Sequence, residues 1–248
     1  MIIREIKAKT ILSKSGIPGA DYCLNPYIGC SHGCRYCYAT FMKKFTGHTE
    51  VWGSFVDVKV NSPELLQKEM RKAAKGNVMI SSVTDPYQPV EAKYRLIRRC
   101  LEILLQYQFP VDILTKSPLV LRDIDLFRKF RDLEAGITIT TDNDPVRKVF
   151  EPGAPPVNAR LNALKKLHEG GIRTYAFIGP VLPMNPDVLA ERISPYADSI
   201  LIDRMNYVPK TIRIYKSMNL YKWLDRDFID DIIRRLKKGF KGKDISIC

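Results

Sequence analysis

Residues 78–117 read VMISSVTDPYQPVEAKYRLIRRCLEILLQYQFPVDILTKS. The stretch opens on an apolar run of strand length, crosses a polar loop, follows a helix-period segment over residues 91–108, and ends on a second apolar run. Strands that are apolar throughout are covered on both faces, and strands that alternate with helices join as parallel crossovers. Outward from this unit the alternation continues. Upstream, Ser62-Pro63-Glu64 supplies an N-cap, a proline at N1 and an acid in the first turn, opening a helix expected to stop at Gly76. Downstream, Ser117-Pro118 caps a helix expected to reach about Glu134. Further strands are read at ITITT (137–141), TYAFIGPVL (174–182) and SILIDRM (199–205). Helices are read over 158–169, after the Asn185-Pro186-Asp187 cap, and over 225–238. One more strand, around residues 22–28, brings the expected count to six. Six units are too few to close an eight-fold barrel, which leaves a flat doubly wound sheet or a curved, partly open barrel. Periodicity does not choose between them, but both put chemistry at the carboxyl ends of the strands.

At 248 residues the chain can bury one sizeable core without disulfides. With 45% hydrophobic and 27% charged residues it is neither a disordered chain, a collagen nor a disulfide miniprotein. No stretch approaches the ~20 apolar residues of a membrane span. The segment MIIREIKAKTILSKSG is too charged for a signal peptide, so a cytoplasmic protein without a membrane partner is expected. Lysine plus arginine number 40 against 27 acids, a formal charge of +13. Such an excess attracts polyanions such as nucleic acid, and a basic solvated surface is the plainer alternative.

Of six cysteines, Cys30, Cys34 and Cys37 fall in CSHGCRYC, with Gly29 and Gly33 easing the turns. A disulfide framework does not suit a chain of this length without a secretion signal. Cys100 lies in an apolar helix and reads as core. A structural zinc needs four ligands, and His32, wedged between cysteines, has little freedom to swing inward. Three thiolates on an iron–sulfur cubane leave one iron open, and an open coordination position marks a site for substrate or cosubstrate.

The spacing Cys-x3-Cys-x2-Cys, with Tyr36 before the last cysteine, resembles the cluster loop of the radical S-adenosylmethionine enzymes. The string NPYIGCSHGCRYCYA (25–39) is similar to the spore photoproduct lyase-like branch, also called DNA repair photolyase-like. So are SSVTDPYQPVE (81–91), LTKS (114–117), TTDNDPVRKVFEPGAPP (140–156) with Arg160, and IGPVLP (178–183). The resemblance spans residues 22–210 and implies an α/β fold, a partial, open TIM-type (β/α)6 barrel. It implies an N-terminal extension (1–21), a core domain (22–210), and a C-terminal helix and tail (211–248) packing on or capping the core. It also implies a 4Fe-4S cluster on Cys30, Cys34 and Cys37, with S-adenosylmethionine on the fourth iron. Reductive cleavage would then yield a 5′-deoxyadenosyl radical that abstracts hydrogen. The electron would come from a flavodoxin- or ferredoxin-type donor.

By the same resemblance Tyr36 lies along the adenine, Lys116 near the methionine carboxylate with Thr138 as companion donor, and Thr84 near the ribose. Glu151 and Arg160 contact either the cosubstrate or each other. Tyr38 matches a tyrosine implicated in hydrogen transfer. The Gly-Gly-Glu signature of the wider superfamily is absent, with Ser81 and Ser82 near its place. The hydrogen-donating cysteine of spore photoproduct lyases aligns with Ser82, whose O–H bond is too strong for that task. Cys23 and Cys248 are the substitute thiols, each more readily read as a bystander. Tyr207, Tyr215, Tyr221 and Trp223, interleaved with Lys210, Arg213, Lys216 and Lys222, suit a surface that stacks bases and holds phosphates. The expected function is radical chemistry on a nucleic acid or nucleotide. The alternatives are radical modification of a peptide or small metabolite, and a metal-stabilised nucleic-acid-binding protein without turnover.

Overall fold

The computed structural model describes residues 1–248. Its strands are β1 (Ile2–Ile6), β2 (Leu12–Lys14), β3 (Tyr22–Leu24), β4 (Tyr27–Ile28), β5 (Phe55–Lys59), β6 (Val78–Ile80), β7 (Val111–Thr115), β8 (Leu133–Thr138), β9 (Arg173–Ile178), β10 (Ser199–Ile202) and β11 (Asp244–Ile247). The main sheet runs β11-β10-β9-β8-β7-β6-β3-β2, parallel except for β2. Its two edges, β2 and β11, do not pair, so the barrel is open, a partial TIM-type α/β barrel. A second sheet, β1-β5-β4, flanks it.

The unit read from residues 78–117 is present as β6, the helix Leu96–Tyr107 and β7. That helix buries Ile97, Cys100, Leu101 and Leu104, the i, i+3, i+4, i+7 face, and packs against the helix Ser62–Glu69. The helix Val157–Glu169 covers β8 and β9, and Arg226–Gly239 packs on Pro186–Ile193. No helix is long and apolar enough to cross a membrane.

Several expected boundaries move, each for a local reason. The helix after Ser62 ends at Glu69 rather than Gly76, and the Glu69 carboxylate accepts the backbone N–H groups of Ile11 and Leu12. The helix expected over 117–134 is a 3-10 turn, Pro118–Asp123, and one short helical turn, Ile124–Phe127. Strand β8 then begins at Leu133 and runs through Gly136, where the Tyr175 ring occupies the space of a side chain. The single strand read at 22–28 breaks at Asn25-Pro26 into β3 and β4, which serve different sheets. Strands β1, β2, β5 and β11 are additions to the expected elements. Mostly exposed, β1 and β11 carry no burial pattern and are defined by backbone pairing alone. Cys248 follows β11 and donates its N–H to the Ile202 carbonyl at 3.0 Å.

Candidate active site at the strand ends

The three clustered cysteines follow β3 and β4 at the carboxyl end of the main sheet. Their loop is gripped by the loops after the neighbouring strands. Behind β6, Thr84 donates to the Gly29 carbonyl at 2.6 Å, while Gln88 donates to that carbonyl and accepts from the Ser31 N–H at 2.9 Å. Behind β8, Gly153 donates its N–H to the His32 carbonyl at 2.9 Å, and Arg35 donates to the Phe150 carbonyl at 2.8 Å. Gly29 (φ +83°) sits on the Phe55 ring, where a Cβ would fall 2.8 Å from a ring carbon.

Cys30 and Cys34 are buried, Cys37 is half-buried, and none is in a disulfide. Burial pushes the Cys30 thiol up to about 12, although the N–H groups of Asp85 and His32 point at its sulfur. Burial also raises Cys34, against the pull of Lys116, and Cys37, against the Ala39 N–H and Lys116. Such thiols ionise when a metal centre supplies the opposing charge. Three thiols in one loop, none in a disulfide, are the donor set that holds a cubane by three irons and leaves the fourth open. His32 directs its Nδ1 to Asp85 at 3.4 Å and leaves Nε2 without a partner.

Asp85 is a site residue that the sequence reading passed over inside the segment 81–91. Its carboxylate accepts from Thr115 Oγ1 at 2.6 Å and from the Lys116 N–H at 2.8 Å. Burial opposes its charge, but His32, Thr115 and the Lys116 N–H together hold its carboxyl at about 2. Asp85 thus ties the end of β7 to the cysteine loop.

Glu151 and Arg160 meet each other, and Tyr36 joins them. The fully buried Glu151 carboxylate accepts from the Tyr36 hydroxyl, the Arg160 guanidinium and Thr140 Oγ1, with Lys116 Nζ 4.0 Å away. Burial pushes this carboxyl up, but Arg160 and Lys116 outweigh it and hold it below its ordinary value. Burial likewise works against the Lys116 ammonium, yet Cys34 and Glu151 raise it overall. Arg160 also donates to the carbonyl of Thr138, whose side chain is buried. Tyr36, Lys116, Thr138, Glu151 and Arg160 therefore form one group. Thr84 stands apart from it, its hydroxyl committed to Gly29 and Gln88.

Tyr38 lies on the outer rim, its hydroxyl donating to the Ser82 carbonyl. Phe45, Phe41, Tyr38 and Tyr207 form a ladder of exposed rings (75%, 41%, 43% and 43%) with successive centroids 6.2, 6.4 and 6.5 Å apart. Lys210 stands over Tyr207 at 5.1 Å and donates to the Cys37 carbonyl at 2.6 Å. Of the aromatic set read as a stacking surface, Tyr215 and Trp223 are instead core, packed on Phe150 and Phe228, while Tyr207 and Tyr221 are exposed. Phe41 and Phe45 went unread because isolated phenylalanines carry no surface signal. Cys23 is buried in β3 beside Ser15. A polar cavity of about 460 Å³, lined by Asp21, Asp112, Glu134 and Arg173, lies at the amino ends of the strands, away from this group.

The chain matches the Radical SAM superfamily over residues 24–193. An uncharacterized protein of Methanocaldococcus jannaschii is 38% identical over 260 residues, covering 99% of this chain and 95% of its own. A radical SAM Nalpha-GlyT isomerase of Pseudomonas phage M6 is 27% identical over 160 residues, 64% of this chain and 32% of that protein. A spore photoproduct lyase variant solved with AdoMet and dinucleoside spore photoproduct superimposes with a TM-score of 0.69 at 14% identity, over 98% of this chain and 80% of that one. At that identity the likeness is one of fold.

Proposed function

Because the chain belongs to the Radical SAM superfamily, we propose that this enzyme cleaves S-adenosylmethionine reductively beside a 4Fe-4S cluster on Cys30, Cys34 and Cys37 and takes hydrogen from a nucleic-acid or nucleotide substrate. Held by Cys30, Cys34 and Cys37, such a cluster would supply the single electron for reductive cleavage of the sulfonium C5′–S bond. The observation that carries the reading is the loop itself. Three thiols free of disulfides share one short loop at the strand ends, with the Lys116 cation beside Cys34.

The protein's own residues provide placement. Lys116 neutralises the methionine carboxylate as a point charge, and Thr138 lies on the neighbouring strand. The Tyr36 ring flanks the adenine, its hydroxyl fixed by Glu151. Glu151 and Arg160 act from behind, balancing charge around Lys116 rather than touching the nucleoside. Thr84 holds the loop, leaving its carbonyl and backbone side for the ribose. Tyr38 sits where the radical meets substrate, and its hydroxyl is the hydrogen-transfer group. A one-electron donor of the flavodoxin or ferredoxin type docks from outside. We assign the chemistry to residues 22–210, with 1–21 and 211–248 as flanking supports.

The substrate class is supported by the exposed ring ladder, by Lys210 at its end, and by the +13 charge. Stacking on such rings contributes about 1–3 kcal/mol per base and tolerates any base. Anaerobic reconstitution tests the whole reading. About four irons and four sulfides per chain, with methionine released on reduction, are expected. A colourless protein carrying one zinc overturns it in favour of a binding protein. Deuterium passing from labelled oligonucleotide into 5′-deoxyadenosine identifies the substrate, and transfer only from peptide pools overturns the nucleic-acid assignment.

A further inference from the structure

Gln88 is fully buried in the turn that leads into the helix Glu91–Tyr94, and its amide reaches across to the cysteine loop. Its Oε1 accepts the Ser31 N–H at 2.9 Å, while its Nε2 donates to the Gly29 carbonyl at 3.2 Å and to Thr84 Oγ1 at 2.8 Å. The amide has one orientation, since the Ser31 N–H can only donate and must face the oxygen. Thr84 Oγ1 in turn donates to the same Gly29 carbonyl at 2.6 Å. The Gln88 backbone is anchored as well, its carbonyl accepting the Glu91 N–H at 2.9 Å.

The two backbone groups that Gln88 holds are the carbonyl before Cys30 and the N–H after it. A neighbouring parallel strand bonds a residue in the same way, through the carbonyl on one side of it and the N–H on the other. Strand β4 ends at Ile28, and beyond it the side-chain amide takes the place of a strand's peptide group. The Cys30 carbonyl also accepts the Gly33 N–H at 3.2 Å. Both peptide planes beside the Cys30 Cα are therefore fixed, and with them the direction of its Cα–Cβ bond. Elsewhere the loop meets the 51–54 turn backbone to backbone, where a Cβ on Gly53 (φ +104°) would lie 2.8 Å from the Gly33 Cα. That contact limits how far the loop can shift but carries no group that orients Cys30.

We propose that Gln88 is the positioning residue for Cys30: its amide stands in for a neighbouring strand and fixes the direction of the Cys30 side chain before iron arrives. This rests on the cluster reading given above. Gln88 acts through the Gly29 and Ser31 peptide groups rather than on the sulfur. A ligand held ready loses little freedom on binding, and removing a group that orients a ligand typically costs about 10–100-fold in metal affinity. Tyr87, one residue earlier, donates instead to Asp123 at 3.0 Å and braces the same turn through a different bond.

Gln88→Met keeps the length of the side chain and removes both donor and acceptor. Tyr87→Phe loosens the turn and leaves the amide in place. Two measurements test the proposal, both without S-adenosylmethionine or substrate: the rate at which a chelator extracts iron from the reconstituted proteins, and hydrogen exchange of the Ser31 amide in the metal-free ones. Gln88→Met with a native circular dichroism spectrum should lose Ser31 protection and release iron at least about tenfold faster than wild type, or load none. Tyr87→Phe should keep the wild-type values of both. Release from Gln88→Met at the wild-type rate, faster release with Ser31 still protected, or equal acceleration in both variants overturns the inference. Should Gln88→Met not fold, the Ser31 amide of metal-free wild-type protein decides. Protection there supports a loop arranged before metal binding, and exchange at the rate of an open amide overturns it. Wild-type protein that takes up no cluster overturns the cluster reading and this inference with it, a result distinct from a loaded wild type with unmoved variants.

Discussion

The Glu151 carboxylate is buried with two cations around it, Arg160 paired directly and Lys116 at 4.0 Å. Removing one partner of a buried pair leaves an uncompensated charge and costs about 3–5 kcal/mol. Glu151→Gln is therefore expected to lose at least about 3 kcal/mol in urea denaturation at pH 7. Its pH profile should change as well. The folded carboxyl is held below its ordinary value, so its contribution is complete above the unfolded pKa of about 4.3 and is lost as pH falls below it. Wild-type stability should fall through that acid limb, and the Gln variant should show a flatter one. The sequence named Glu151 and Arg160 but left open whether they meet each other or the cosubstrate. Nine positions apart across a proline-rich bend, they reveal a pairing only once the backbone path is known. The three cysteines were legible because their spacing alone confines them to one loop. Asp85 was not, because its partners Thr115 and the Lys116 N–H come from the end of a different strand.

At the scale of elements, the strand–helix alternation was legible wherever burial imposed it, as in β6, β7 and β9 with the helices between them. It failed where pairing replaces burial, at β1 and β11, and where a breaker residue is put to structural use, at Gly136. Gly136 sits mid-strand under the Tyr175 ring, whose hydroxyl donates to Asp112 at 2.8 Å. Gly136→Ala must displace that ring and break its hydrogen bond, and a loss of about 1–3 kcal/mol is expected in the same assay. The cysteine loop behaves differently. Bonds to Gly29, Ser31, His32 and Arg35 hold its backbone whatever the sulfurs bind. Cys34→Ala is therefore expected to lose iron and methionine release while keeping its circular dichroism and a single cooperative melt. Retained cleavage of S-adenosylmethionine would remove Cys34 from the ligand set.

At the scale of the whole molecule, the proposed nucleic-acid binding divides into a charge contribution and a ring contribution that can be measured apart. Affinity for an oligonucleotide should fall as salt rises, with a slope set by the phosphates neutralised. Phe45→Ala removes a ring and no charge. It should weaken binding to a single strand by about 1–3 kcal/mol while leaving the salt slope unchanged. Equal affinity of the variant and wild type across a fluorescence titration would take Phe45 out of the surface. The open barrel was legible only through family resemblance, because helix and strand periods are the same in a flat sheet and a curved one.

The meeting of Gly33 and Gly53 has a genetic consequence. Most steric defects can be relieved by trimming a neighbouring side chain, so they yield suppressors elsewhere in the gene. Here the obstacle to a Cβ at position 53 is main chain, which no second substitution can shorten. A selection that starts from Gly53→Ala should return reversions at that codon and few changes at any other.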